Sequence, residues 1–447
     1  MTGAKAGYSA NRTSWRGLRK GTLVLAVLLA LPDTTRAIDV DYEVGVAVRH
    51  SDNINLSQTN PIEDTVRSPT LYFEAAQVGR RIQLAARGDL EYLDYASNTF
   101  ENELRGRFAG RLNFNVLPER LDFVVQDYLS RQPIDQLAAF NPGNQQQINV
   151  FVAGPSLYTR FDGVTRGQFD LRYSNSYAEE DEEFDSDRYN AAARVLREMS
   201  STSSLSANLE ATDVRFQLEG GASDYRRYDG YLGTAVERDK VDVELDLGYS
   251  RLELDDGFEE SSPLARASVN WRVTPRSLLA TTVRYHLTDA TQSLVTPLEI
   301  DANRRPFADF IVPDVQVEPN VFRERLIRAR YRHTGDRLTL QLVPYHRRMR
   351  YVEQDVVESQ DRTGALLLAD YRLRPRLTLS LEGGREKREF VRVDREDTDT
   401  TFSVSLAHRF TRKWTGRVGF QRRDRDSSAI GRSYDSNAVL LSVTYQR

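Results

Sequence analysis

The 447-residue chain has no cysteine, so no disulfide framework can stabilise it. Its only long apolar run, residues 21–31, is too short to cross a bilayer as a helix, which takes about 20 residues. The five histidines form no HExxH pair, and neither a GxSxG elbow nor a glycine-rich phosphate loop occurs. We therefore expect no enzyme, no catalytic residue, no metal site and no cofactor.

The charge balance also lacks a basic surplus. Without residues 1–37, which hold six basic residues and one acidic residue, 55 Lys plus Arg stand against 64 Asp plus Glu. A nucleic-acid-binding protein would gather an excess of basic residues on one face. We therefore expect no nucleic acid among the partners.

The amino terminus has the layout of a secretory signal. Arg16, Arg19 and Lys20 precede the apolar run, and Pro32 and the segment 35–37 follow it. We predict a signal peptide over residues 1–37 and one β-barrel domain over residues 38–447.

Beyond the signal, apolar and polar residues alternate. Ala265, Val269 and Trp271 fall on one side of a strand and Arg266 and Asn270 on the other, as in a sheet that is wetted on one face. Very short turns separate pairs of such strands. We place the turns near Gly79, Pro118, Gly163, Ser201, Asp239, Pro275, Gly335, Pro375 and Arg412.

Longer polar stretches alternate with these turns. They cover Asp52–Ser68, Gln132–Gln147, Glu179–Asp187, Asp255–Ser262, Thr288–Asn320, Asp394–Thr400 and Asp424–Ser436. Tight periplasmic turns and long external loops are typical of outer-membrane barrels. We predict an all-β protein, a single transmembrane antiparallel β-barrel of about 18–20 strands in the Gram-negative outer membrane. The lower number applies if the weak pair between Ser203 and Tyr228 does not form.

Aromatic residues near the predicted strand ends match the girdles at membrane interfaces. They include Tyr72, Phe73, Tyr92, Tyr95, Phe108, Tyr173, Tyr177, Tyr285, Tyr331, Tyr371, Phe410 and Trp414.

Two segments resemble a known family. The stretch Gly45–Ser57, with Arg49-His50-Ser51-Asp52-Asn53 after the first strand, resembles the opening of the beta-barrel porin type 2 family, and Asn141–Gln145 looks similar to members of that group. The family includes outer-membrane proteins associated with exopolysaccharide and PEP-CTERM protein-sorting gene clusters. The resemblance implies an integral barrel that serves polysaccharide export, with no catalytic residues to carry over.

Alternation places several charged residues toward the barrel interior. Our candidates for lining the lumen are Asp242, Glu244, Asp246, Arg266, Arg272, Arg328, Arg330 and Arg332. The last three belong to the densest basic patch of the sequence, together with Arg323, Arg325, Arg347, Arg348 and Arg350. Such a ladder could attract anions through a pore. The alternative is ion pairing with carboxylates on neighbouring strands.

Two loop features stay open. Asp52, Asn53 and Asn55 could supply oxygen ligands to calcium or a sugar, or could form an Asx-rich turn. The stretch Thr288–Asn320 could fold inward as a constriction or plug, or extend as an external loop.

Three functions fit this sequence. The first is an exopolysaccharide conduit, the second a surface polysaccharide-binding barrel with a blocked pore, and the third a scaffold for periplasmic export proteins. In each, outer-membrane lipid and lipopolysaccharide are expected contacts.

Overall fold

The computed structural model describes residues 38–218, 221–294, 319–353 and 358–447. The predicted signal peptide, residues 1–37, lies outside the described residues, as does most of the stretch 288–320. No described helix is both long enough and apolar enough to cross a membrane.

The described chain is a succession of 20 β-strands of 12–16 residues each. Their bounds are β1 Asp39–Ser51, β2 Asp64–Val78, β3 Ile82–Tyr95, β4 Glu103–Leu117, β5 Leu121–Gln132, β6 Gln146–Arg160, β7 Thr165–Ala178, β8 Ser186–Ser200, β9 Ser203–Phe216, β10 Tyr225–Glu237, β11 Val241–Leu254, β12 Glu259–Thr274, β13 Ser277–Thr288, β14 Phe322–Thr334, β15 Leu338–Tyr351, β16 Gln360–Arg374, β17 Leu377–Phe390, β18 Arg395–Arg409, β19 Trp414–Ser427 and β20 Tyr434–Gln446. A five-residue helix, α1 Ala290–Leu294, follows β13, and short 3-10 helices lie at Pro142–Asn144 and Glu182–Phe184.

The sheet closes on itself. Each strand pairs with the next in antiparallel register, and β1 pairs with both β2 and β20. Closure leaves no open sheet edge, so the ladders satisfy the backbone N–H and C=O groups that a bilayer could not. The weak pair in the sequence is real, because β9 and β10 pair from Val214–Tyr225 to Ser203–Val236. The predicted barrel and the upper strand number are confirmed.

The two ends of the barrel differ in their connections. At one end, which we call the short-turn end, nine connections of two to four residues join the strands, and all nine predicted turns fall within them. At the other end, the long-loop end, connections run from four residues, 255–258, to 33 residues, 289–321. This is the asymmetry of outer-membrane barrels.

One predicted loop is wrong. Residues 395–400 of the stretch Asp394–Thr400 belong to β18. Arg395 and Asp397 on this strand are buried and form an ion pair at 2.6 Å. Because both sides of the strand end are polar, the sequence shows no apolar alternation there.

The outer face of the barrel carries exposed apolar side chains, among them Val46, Leu209, Leu232, Ile327 and Leu441. Trp414 and Phe410 are exposed at the short-turn end, as an interfacial girdle requires. Tyr371, 40% exposed, lies near the same end, opposite Leu338 at the start of β15. Three other predicted girdle residues, Tyr95, Phe73 and Phe108, do not fit a girdle.

Tyr95 is 2% exposed and packs its ring against Phe100, 5.5 Å away, at the long-loop end. Phe73 and Phe108 lie near the middle of β2 and β4. Strand ends could not be located closely enough from the sequence to assign these rings to an interface.

Candidate functional site

One hydrogen bond identifies the inner face of the sheet. Arg188 of β8 donates from Nη1 to Oδ2 of Asp289 at 2.8 Å, and Asp289 follows β13. Side chains from strands so far apart in the ring meet in the space that the barrel encloses. Paired residues share a face, so the register leads from Arg188 through Val214 and Tyr225 to Leu254 of β11.

The eight lumen candidates all lie on this inner face. Asp242, Glu244 and Asp246 share the face of Leu254 by alternation along β11. The ladder pairs Asp246 with Arg266, which fixes Arg272 to the same side of β12. Through β13 the register reaches Arg328, Arg330 and Arg332 on β14.

Four of these residues form two ion pairs across β11 and β12. Arg272 lies 3.1 Å from Asp242, and Arg266 lies 3.4 Å from Asp246. Between them, Ser268 donates to Glu244 at 3.3 Å. Ion pairing between neighbouring strands, the alternative predicted from the sequence for the basic ladder on β14, thus occurs on β11 and β12. Arg328, Arg330 and Arg332 lie two strands away on β14.

Exposure along the inner face changes from one end to the other. Near the short-turn end Glu244 and Arg332 are exposed, and Asp242 is half-buried. Toward the long-loop end Ser250 and Phe322 are 0% exposed. The lumen is thus accessible at the short-turn end and filled at the long-loop end.

A polar cluster holds the segment after β13 in the filled half. Asp289, 0% exposed, accepts hydrogen bonds from Arg188 and from the Tyr225 hydroxyl at 2.7 Å. Arg188 also donates to Thr291 Oγ1 at 3.0 Å, and Arg227 donates to Gln292 Oε1 at 3.2 Å. Burial alone would raise the pKa of Asp289, but the Arg188 guanidinium holds it below its usual value of 3.8. We call Asp289, Arg188 and Tyr225 the latch.

Apolar packing continues from the latch across the lumen. Ala290, 1% exposed, joins a buried cluster contributed by the strands β5 to β7 and the connection after β7. Its other members are Tyr128, Ile148, Val150, Val152, Ala178 and Phe184. The start of the predicted stretch 288–320 therefore folds inward, whereas residues 295–318 lie outside the described residues.

A second segment, residues 133–145 between β5 and β6, also crosses the long-loop end. The Gln360 amide of β16 donates to Gln136 Oε1 at 2.7 Å, and Arg395 of β18 donates to the Leu137 carbonyl at 2.7 Å. These strands lie on the far side of the ring from β5 and β6. This contact could not be predicted, because nothing in the sequence of 133–145 distinguishes the segment from an outward loop.

The cluster near the first loop has the geometry of an Asx-rich turn. Asn53 Oδ1 accepts from the Ser57 backbone at 3.0 Å, and both carboxylate oxygens of Asp52 accept from Asn437. Asn55 Oδ1 accepts from the Ile62 backbone at 2.9 Å. The oxygens that a calcium ion or sugar would need are thus bonded within the protein.

The predicted basic patch is divided by the fold. Arg347 pairs inward with buried Glu324 at 2.7 Å. Arg348 and Arg350 both contact Asp361, at 3.0 and 2.6 Å, on the opposite face of the sheet. Strand alternation separates these neighbours, so they cannot act as one surface with Arg328 and Arg330.

These features define the class of the protein. A closed barrel of 20 antiparallel strands, apolar outside and charged inside, is an outer-membrane β-barrel of porin-like architecture, and its location is the outer membrane. The family model described as "Putative beta-barrel porin 2" matches residues 357–447, which correspond to β16–β20. The match confirms the resemblance to that family in the last five strands, away from the motifs at 45–57 and 141–145. No curated protein matches this chain in sequence.

This chain resembles several solved proteins distantly. The siderophore receptor PirA from Acinetobacter baumannii is 10% identical, with 93% of this chain and 81% of that chain covered and a TM-score of 0.48. The FrpB iron transporter from Neisseria meningitidis, in its apoprotein form, is 10% identical, with 94% and 82% covered and a TM-score of 0.47. A loop-deletion mutant of OmpT, an outer membrane protein of Vibrio cholerae, is 8% identical, with 92% and 100% covered and a TM-score of 0.35. We draw no functional argument from these likenesses.

Proposed function

We propose that this protein is a gated, non-enzymatic conduit of the outer membrane and that its cargo is an exopolysaccharide. The observation that carries the proposal is the graded lumen. The charged inner wall is accessible at the short-turn end. At the long-loop end, side chains and two segments of the chain itself cover it. By the usual orientation of such barrels, the short-turn end faces the periplasm, where a newly made chain would enter.

The wall chemistry suits a hydrated chain. Paired charges such as Arg272 with Asp242 present hydrogen-bonding groups without a single strong binding site. Arg328 and Arg330 place two further guanidinium groups on this wall, and guanidinium groups can contact anionic groups on the cargo. Many weak contacts of this kind let a polymer slide, because no single contact must be fully broken before the next is made.

The contacts in the filled half of the lumen, at the long-loop end, support the proposed gate. The latch and the segment 133–145 are held by hydrogen bonds and small apolar contacts, with no covalent link. Such contacts can be exchanged for contacts with cargo or with a periplasmic export protein. The proposal includes cleavage of residues 1–37 as a signal peptide.

A second candidate is a surface barrel that binds polysaccharide or scaffolds a periplasmic complex while its pore stays blocked. The two segments that cross the long-loop end favour it, because together they fill the mouth from different sides of the ring. The first candidate predicts that the barrel conducts once its mouth is opened, and the second predicts that it does not.

Ion conductance in a planar bilayer tests the proposal. We would compare the mature protein with a variant that lacks residues 290–320 and has 134–143 replaced by a short Gly-Ser turn. A matched control shortens 429–432, a loop whose Ile430 is fully exposed. We expect a small or absent current in the intact and control proteins and a large one in the opened variant. Added anionic oligosaccharide should then block this current in steps.

Silence of the opened variant, shown to be folded by its heat-modifiable migration in gels, would reject the conduit and leave the blocked-pore candidate. If the opened variant conducts but neither neutral nor anionic oligosaccharides block its current, the pore is supported and polysaccharide is rejected as its cargo.

A further inference from the structure

The outer face of β14–β16 changes from apolar to basic toward the long-loop end, and His346 and Thr363 lie beside Ile327 at the boundary. Ile327, Leu342 and Leu367 are exposed there by 57%, 40% and 43%. Two residues beyond Ile327 toward the long-loop end, Arg325 points to the same side of β14. The row that contains it continues across the ladder to Arg348 and then to Asp361.

Two guanidinium groups share one carboxylate here, and a third lies beside them. Arg348 and Arg350 both contact Asp361, and Arg325 lies directly across the ladder from Arg348, with its Cζ 5.1 Å from the centre of the Tyr285 ring. Like charges placed opposite each other on adjacent strands destabilise a sheet unless an anion lies between them. Arg348 and Arg350 keep 40% and 30% of their side chains exposed, so an anion from outside can reach them.

Other charged groups on the same level differ. Arg251 on β11 contacts two carboxylates, Glu253 at 2.8 Å and Glu259 at 3.0 Å. Beside the row on β17, Glu389 lies opposite Asp361 but bonds to Lys387 at 2.8 Å. Arg215 and Arg226 also share one carboxylate, that of Asp213, at 2.9 and 3.1 Å. The set on β14–β16 differs from that pair by its third guanidinium group, Arg325.

We propose that Arg325, Arg348 and Arg350 bind a phosphate of a phosphorylated glycolipid of the outer leaflet, the lipid anchor of lipopolysaccharide. Lipid phosphates lie just above the hydrocarbon layer, at the level where this face turns from Ile327 to Arg325. The planar guanidinium group holds phosphate oxygens in pairs, and the acyl chains would lie along Ile327, Leu342 and Leu367. This site is independent of the conduit, because it lies on the other face of the sheet.

The test measures lipid retention by the detergent-folded mature protein in native mass spectrometry. The probes are diphosphorylated lipid A and the same acylated disaccharide without phosphates, and inorganic phosphate serves as competitor. Variants are Arg348→Gln with Arg350→Gln, Asp361→Asn, and the matched control Arg251→Gln.

We expect the native protein to retain the phosphorylated lipid about tenfold or more better than the phosphate-free lipid, because charge-assisted hydrogen bonds to phosphate are lost with the phosphates. The double variant should lose that preference, and Arg251→Gln should keep it. Asp361→Asn should strengthen retention, since it removes the competing anion.

Equal retention of the two lipids by the native protein would overturn the site. So would unchanged retention by the double variant, or binding of inorganic phosphate without a preference for the lipid. Should the double variant fail to fold, Arg350→Gln and Asp361→Asn keep the test decisive, because the site requires them to change retention in opposite directions.

Discussion

The latch makes a quantitative prediction for the variant Asp289→Asn. The substitution keeps the shape of the side chain but removes the charge that faces Arg188 at 2.8 Å. Arg188, whose side chain is 6% exposed, is then left as a buried cation without its anion. Breaking a buried ion pair in this way costs about 3–5 kcal/mol.

This cost destabilises the inward position of the segment after β13, but it does not destabilise the barrel. The ladders of all 20 strands remain in the variant, and the segment can leave the lumen so that Arg188 becomes hydrated. At about 1.4 kcal/mol per tenfold change in an equilibrium, a cost of about 3 kcal/mol raises the population of the outward position about a hundredfold. We expect the barrel to stay folded while its closure weakens.

Two assays follow the variant. Single-channel recording should show more frequent openings than in the native protein, and limited proteolysis should cleave within residues 290–320 faster. The matched control is Asp336→Asn, because Asp336 pairs with Arg276 at 3.0 Å but is 83% exposed. An exposed pair contributes about 0–1 kcal/mol, so the control should behave as the native protein does. Native-like opening and cleavage in Asp289→Asn would refute the assignment of the latch.

Three further predictions follow. The pKa of Asp289 is lower in the closed form than its ordinary value of 3.8. The ionised group therefore stabilises closure above pH 3.8, and this stabilisation is lost as the pH falls through the lowered pKa. Recordings should show acid opening only below about pH 4, and opening near neutral pH would contradict this. In the opened variant, Arg328→Gln with Arg330→Gln should lower the ratio of anion to cation permeability, measured from the reversal potential in a salt gradient, and an unchanged ratio would exclude these residues from selectivity. Phe184→Ala removes a ring that is 1% exposed in the cluster around Ala290, and this should cost about 3–5 kcal/mol locally. Cleavage within 290–320 should become faster, while the heat-modifiable migration of the barrel should not change. Equal cleavage rates would show that the cluster does not hold the segment.

The barrel could be predicted because its strands follow a local rule. Alternation with a period of two assigned Asp242 and Arg266 to one face before their partners were known, and Pro118, Pro275 and Pro375 marked turns. The same rule failed at Arg395 and Asp397, where a strand end faces a polar interior on one side and water on the other.

The sequence allowed a plug but could not decide between a plug and an external loop, because the choice depends on contacts between distant parts of the chain. Ala290 contacts a cluster that includes Tyr128, and Gln136 bonds to Gln360, only after the ring has closed. The division of Arg347 from Arg348 likewise needs the register, since the partners Glu324 and Asp361 lie on different strands and different faces. Residue spacing within one segment carries no record of such pairings.

The burial of the latch has a consequence for how the mouth opens. Two unit charges about 4 Å apart attract by about 4 kcal/mol at an effective dielectric constant of about 20, but by about 1 kcal/mol in bulk water. The first water molecule that reaches Asp289 therefore weakens the bond that was keeping water out, and each further molecule enters more easily. Opening should be cooperative and switch-like, with brief transitions between two well-defined current levels rather than a graded widening.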